Sequence, residues 1–312
     1  MANAVTKNQS PNQAGIYTDL ATLLGSRHWA RNLKLFSRQV ARSMLLGETR
    51  SRFRGRGMEF EEVRHYQPGD DIRNIDWRVS ARTGGTYTKL FCEERERPVH
   101  ILVDQRSSMF FGSRGRFKSV LAAELATALA WAALAGSDRI GGQIIGDHSE
   151  SDIRARRNKQ AVLKFIHDLN EYNRNLPSVK SSDKEKNFVD MVDECRRITR
   201  PGTAVFILSD FHDFSNKAAK SLVALGRHTD INLFQVQDPL ETDLPVSGAV
   251  SISDGTHRSS VQLSNSLQKA FLKQINARTK LLKEAALRSR SAFVQVSTLD
   301  EPRQILNRIY GK

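Results

Sequence analysis

Three short apolar runs mark the middle of the chain: PVHILVD from Pro98, TAVFILSD from Thr203 and INLFQVQ from Ile231. Runs of this length without polar alternation predict strands buried on both faces, as in a parallel sheet. RIGGQIIG, from Arg139, predicts a further strand. Between these runs, apolar residues recur at three-to-four spacing over residues 117–134, 155–172, 187–198 and 216–228, which predicts helices. The first is stopped by Gly136. Strands alternating with helices specify an α/β fold, a mostly parallel sheet with helices on both faces.

The flanks read differently. Residues 1–15 are polar and are expected to form a frayed tail, while Leu20, Leu23, Leu24, Trp29, Leu33, Phe36, Val40 and Met44 predict one or two amphipathic helices with a break near Gly25. Residues 50–97 carry paired charges and one strand-like stretch, GTYTKLFCEER. After residue 245 a hairpin (AVSISDGTHRSSVQL), a long basic helix from Ser264, a strand (SAFVQVS) and a closing helix are expected. The divisions expected are a tail (1–15), a helical and β region (16–97), the α/β domain (98–245) and an α/β extension on the same fold (246–312).

Charge enters as the compositional outlier. The 312 residues hold 48 Lys+Arg against 34 Asp+Glu, a net +14. That favours a polyanionic partner such as nucleic acid, an acidic protein or an anionic surface. The excess is uneven: residues 1–97 carry +6, residues 98–245 +1 and residues 246–312 +7. The predicted α/β domain is therefore near neutral, which makes nucleic acid the lesser expectation. The Arg50, Arg52, Arg54, Arg56 run, interleaved with Phe53, keeps a nucleic-acid or anionic-surface reading as the alternative. Cys92 and Cys195 lie in unlike contexts without metal-ligand spacing, and read as reduced, buried thiols. The N-terminus lacks an apolar signal core, and Leu121 to Ala135 is interrupted by Glu124 and Thr127. A cytoplasmic location is the expectation.

In open α/β sheets ligands bind beyond the carboxyl ends of the strands. Asp104 and Asp210 each follow an apolar strand directly, so both are expected at that edge. The competing reading makes Asp104 and Ser108 caps of the turn into the next helix. No P-loop, dinucleotide fingerprint, metal-binding histidine pair or serine elbow occurs in the sequence, so nothing orders a base and nucleophile for catalysis.

The most distinctive segment is SRFRGRGMEFEEVRHYQPGDDIRNIDWRVSARTGG. With EERERPVHILVDQ, SSMFFGSRGRFKSVLAAELA and LSDFHDF after it, residues 50–215 resemble the prokaryotic domain-of-unknown-function 58 family. Its signature falls here on Arg64, Tyr66, Gly69, Asp70, Asp71, Arg73, Asp76, Trp77 and Arg82. Physically, Pro68-Gly69 suits a type II turn, Asp70 and Asp71 suit caps, Trp77 suits a buried anchor, and the Arg and Asp residues suit a salt-bridge network or an interface.

The resemblance implies a von Willebrand A-like, Rossmann-like fold and a non-enzymatic interaction module acting with a MoxR-type AAA+ ATPase and client proteins in assembling or maturing complexes. It also implies a metal-ion-dependent adhesion site holding Mg²⁺. Asp104, Ser108 and Asp210 match that site only in part, because Arg106 stands where a ligand serine belongs and no second-loop Thr is evident, Asn187 or a serine of Lys180-Ser181-Ser182 being nearest. Either Arg106 turns away and leaves a weakened metal site, or it pairs with Asp104 or Asp210 in place of the cation. In the second case Arg106 and Ser107, with Asp104 and Asp210, are expected to meet a partner carboxylate directly.

Overall fold

The computed structural model describes residues 15–36, 58–68, 70–93, 97–176, 186–253 and 258–311. The N-terminal tail, the Arg50 to Arg56 run, Gly69 and the serines after Lys180 lie outside the described residues. The chain divides into two units, residues 1–48 with 97–312, and residues 49–96.

Asp19 accepts from the Thr22 amide at 2.9 Å and starts α1 (Leu20–Gly25), which Ser26 separates from α2 (Arg27–Ala30). The break falls beside Gly25, as the sequence suggested. Leu23, Ala30 and Leu33 are buried in the main apolar cluster of the larger unit. These helices therefore belong to the larger unit, and the expected 16–97 region is split by the fold.

In the smaller unit β1 (Met58–His65) and β2 (Tyr87–Glu93) pair antiparallel. Between them Asp71 caps a 3-10 turn over Ile72–Asn74, and Asp76 caps α3 (Trp77–Thr83) by accepting from the Arg78 and Val79 amides at 3.1 Å. Arg64 pairs with Asp70 at 2.7 Å, and Lys89 with Asp76 at 3.5 Å. The signature acids are thus mostly caps rather than a network of arginine pairs. Trp77, expected as a buried anchor, is 68% exposed. A hairpin and one two-turn helix enclose too little volume to bury an indole.

The larger unit is built on a six-stranded sheet. Its strands are β3 (Pro98–Asp104), β4 (Arg139–Ile145), β5 (Glu150–Arg156), β6 (Ala204–Ser209), β7 (Asp230–Gln237) and, after the exposed hairpin of β8 (Gly248–Ser253) and β9 (Arg258–Leu263), β10 (Ala292–Ser297). The spatial order is β10-β7-β6-β3-β4-β5, parallel throughout except for β5. Along β3, Val99, Ile101 and Val103 enter one apolar cluster and Leu102 the other, the period-two signature of a strand covered on both faces. The expected α/β architecture is what the structure shows.

One layer contains α4 (Lys118–Ala135), α5 (Lys159–Asn175) and α10 (Pro302–Tyr310); the other contains α6 (Phe188–Ile198), α7 (Asn216–Leu225) and α9 (Asn265–Ser289). A short α8 (Pro239–Thr242) follows β7. α4 is long and apolar enough to cross a membrane, yet 83% of it is buried inside the protein, and it serves as the core helix. The chain leaves β3 toward β4 on one side and later returns to β6 on the other. The carboxyl ends of β3 and β6 therefore flank the crevice where such sheets bind ligands.

Candidate functional site

Asp104 closes β3 and Ser209 closes β6, with Asp210 immediately after it. Both predicted aspartates thus stand at the crevice, 0% and 6% exposed. Their surroundings decide what they can do.

Arg106 turns back across Asp104. Its Nε and Nη2 donate to the two Asp104 oxygens at 3.0 and 2.9 Å, and Nη1 and Nη2 donate to the two Asp213 oxygens at 2.9 Å each. Nη1 also donates to the Lys186 carbonyl at 3.1 Å. A guanidinium has five N–H donors, and all five are used. Asp104 accepts in addition from the Arg106 amide at 3.1 Å and the Ser209 hydroxyl at 2.6 Å. That makes four bonds, the capacity of a carboxylate. Burial opposes the charge of Arg106, but Asp104 and Asp213 outweigh it and hold its pKa above the usual arginine value. Asp213 is held low: burial pushes it up, and Arg106 and the Phe188 amide more than reverse that.

A second cation closes Asp210. Lys118, at the start of α4 and only 3% exposed along its side chain, donates to Asp210 at 2.8 Å and Glu241 at 2.7 Å. Burial alone lowers a lysine pKa, yet Asp210 and Glu241 raise this one. Asp210 also accepts from the His212 amide at 2.9 Å and from the Ser108 hydroxyl at 3.4 Å. Its pKa is lowered, Lys118 overcoming the burial that would raise it. Between Asp210 and His212 the backbone of Phe211 takes φ 54°, a left-handed conformation uncommon for a bulky residue. Its ring is held against Phe188 and Phe214, which fixes the loop.

The loops are tied together by two more acids. Asp147, after β4, accepts from the Ser107 amide at 3.0 Å and from its hydroxyl at 3.2 Å. Asp238, after β7, accepts from the Ser113 amide at 2.8 Å and the Thr298 hydroxyl at 3.1 Å. Asn187 caps α6 by accepting from the Asp190 amide, and is committed there.

The residues do not fit a Mg²⁺ site. The ion requires free oxygen lone pairs at about 2.0–2.1 Å in octahedral array. Here Asp104 is saturated with the Arg106 guanidinium lying against it, and Asp210 is bound to the Lys118 ammonium. The expected choice between a turned-away and a paired Arg106 resolves to pairing, with Asp104 and Asp213. The expected direct grip of Arg106 on a partner carboxylate is corrected as well, because no donor is left. The accessible lip of the crevice is formed by Ser107 and His212, which are exposed, beside half-buried Ser108 and Asp213.

Asp213, Lys118, Glu241 and Asp147 were not singled out from sequence. Asp147 follows a predicted strand as Asp104 and Asp210 do, and was findable by the same reasoning. A buried lysine opening an apolar helix has no such signal.

A family model described as Protein of unknown function DUF58 matches residues 62–282, and the chain belongs to this family. Uncharacterized protein Rv1480 of Mycobacterium tuberculosis (strain H37Rv) is 29% identical over 224 residues, 72% of this chain and 69% of that protein. Uncharacterized protein Mb1516 of Mycobacterium bovis is similar to the same extent. Among solved structures, the conserved hypothetical protein BatB from Bacteroides thetaiotaomicron matches 68% of this chain and 96% of that one, at 12% identity and TM-score 0.44. A von Willebrand factor type A protein from Catenulispora acidiphila matches 72% and 43%, at 10% identity and TM-score 0.38.

Proposed function

We propose that this chain is a non-enzymatic adaptor acting in the cytoplasm with a MoxR-type AAA+ ATPase to assemble or mature other protein complexes, docking through the crevice lip without a metal ion. The observation that carries this reading is the closure of the Asp104 and Asp210 carboxylates by Arg106 and Lys118. Carboxylates saturated by internal cations are poor general bases and poor metal ligands, but they hold the surrounding loops rigid. A rigid lip is what a docking surface needs, since ordering loops on binding weakens association. Membership of the DUF58 family supports the adaptor role through what the resemblance implies.

Co-purification of the full chain with such an ATPase in the presence of EDTA tests the reading. Binding is expected to survive the chelator and to be abolished by the paired lip substitutions Ser107→Trp and His212→Glu. Binding that EDTA removes would reject the metal-free mechanism. Binding indifferent to the lip substitutions would reject the lip.

A further inference from the structure

The crevice is not the only concave surface. Two adjoining cavities of about 380 and 330 Å³ share Arg27, His28 and Trp131 between α1, α2, α4 and α5. Their apolar surface comes from Trp131, Leu134, Leu24 and Leu163. Leu24 and Leu163 are 36% and 38% exposed. The described polar rim is built from the basic side chains Arg27 and Arg31, from α2 and its end, and Lys159 from α5, with His28 beside them. Among the described residues no acidic side chain lines either cavity. Among the described residues these three permanent cations take part in no ion pair, whereas Arg106, Arg116 and Lys118 are all matched by carboxylates. The floor carries one further unmet group: Trp131 is 5% exposed and its indole Nε1 is buried without an acceptor.

We infer that this groove is a docking site for an acidic segment of a partner protein, one that places an aliphatic side chain over Trp131 and Leu163 and carboxylates against Arg27, Arg31 and Lys159. The apolar floor argues against a bare inorganic anion, which would gain nothing from it. The concavity argues against a flat membrane surface. The arginines suit carboxylates because their planar fork binds them bidentately. The groove lies at the last turn of α4, about 20 Å along the helix from Lys118 at the crevice. The inference goes beyond the adaptor reading, and the two surfaces can fail separately.

The test is fluorescence anisotropy on the full chain with a labelled peptide carrying Leu at helical three-to-four spacing and Glu or Asp elsewhere. Controls are the same peptide with Lys for every acid, phosphatidylserine vesicles and a single-stranded oligonucleotide. The acidic peptide is expected to bind, at least about tenfold more tightly than the basic one, a difference of about 1.4 kcal/mol. Arg27→Glu with Arg31→Glu is expected to remove that binding, and Leu163→Glu to weaken it, with unfolding temperatures unchanged because these side chains are exposed. Ser107→Trp on the crevice lip is expected to leave it intact. Equal binding of both peptides, acidic-peptide binding that survives the double reversal, absence of acidic-peptide binding, or Arg27- and Arg31-dependent binding of vesicles or oligonucleotide in its place would overturn the inference.

Discussion

Arg106 and Asp104, two positions apart at the end of β3, form a side-on bidentate pair at 3.0 and 2.9 Å, and the same guanidinium grips Asp213 from the loop after β6. One side chain thus clasps the two loops that bound the crevice. Removing one member of a buried charge pair costs about 3–5 kcal/mol, because the other charge is left uncompensated. Arg106→Ala is expected to destabilise the protein by about that amount in a denaturant titration. Arg106→Lys should recover little, since an ammonium cannot span two carboxylates in the same plane.

Lys118 makes the parallel case. Lys118→Met is expected to strand Asp210 and Glu241 and to lower stability by about 3 kcal/mol or more. Exchange of Lys118 with Met and of both acids with their amides at once should cost much less, because no buried charge is then left unmatched. A multiple-mutant cycle in urea measures the difference.

Asp210 and Asp213 both have folded-state pKa values below their unfolded ones. Each therefore stabilises the fold fully above its unfolded value of about 4 and loses that contribution as pH falls through the folded value. The unfolding temperature is expected to be flat near neutrality and to drop below about pH 4. In Asp213→Asn the protein should start less stable at neutral pH, and its gap from the wild type should narrow as the pH is lowered.

Cys195 is fully buried, and burial, with Asp152 adding to it, pushes its thiol up to about 12. A thiol reagent at mild alkaline pH should leave Cys195 untouched in a Cys92→Ser chain until denaturant is added. Prompt reaction would show that the cluster around α6 is open.

The adjacent glycines of β4 admit no side chain. A Cβ on Gly142 would lie 2.6 Å from the Phe165 ring and 2.9 Å from the Ile101 carbonyl, and one on Gly141 would lie 2.8 Å from backbone atoms of β5. Alanine at either position is expected to cost about 1–3 kcal/mol, read from the urea midpoint, through overpacking that backbone atoms cannot relieve.

The parallel strands were legible because they are buried on both faces and therefore read as unbroken apolar runs. β5 was not: as an antiparallel edge strand with the sequence ESDIRAR it buries only Ile153, and its charges mask the alternation. Asp104 and Asp210 were legible because a carboxylate directly after a buried strand must surface at the carboxyl edge. The identity of their counterions was not, since Arg106 meets Asp213 across 107 positions and Lys118 meets Asp210 across 92. Which basic residue closes which acid is fixed by strand order, and strand order is not written in local periodicity. Trp77 misled for the opposite reason: the expectation of burial rested on residue type, and its unit lacks the packing layers to fulfil it.

The Arg106 guanidinium already holds the position beside Asp104 that a divalent ion would need. Titration calorimetry with Mg²⁺ on the wild-type protein and on Arg106→Ser reads this out. The wild type is expected to give no binding heat, and any heat gained should appear only in the serine variant. Saturable Mg²⁺ binding by the wild type that Asp104→Asn abolishes would show that the guanidinium does not exclude the ion.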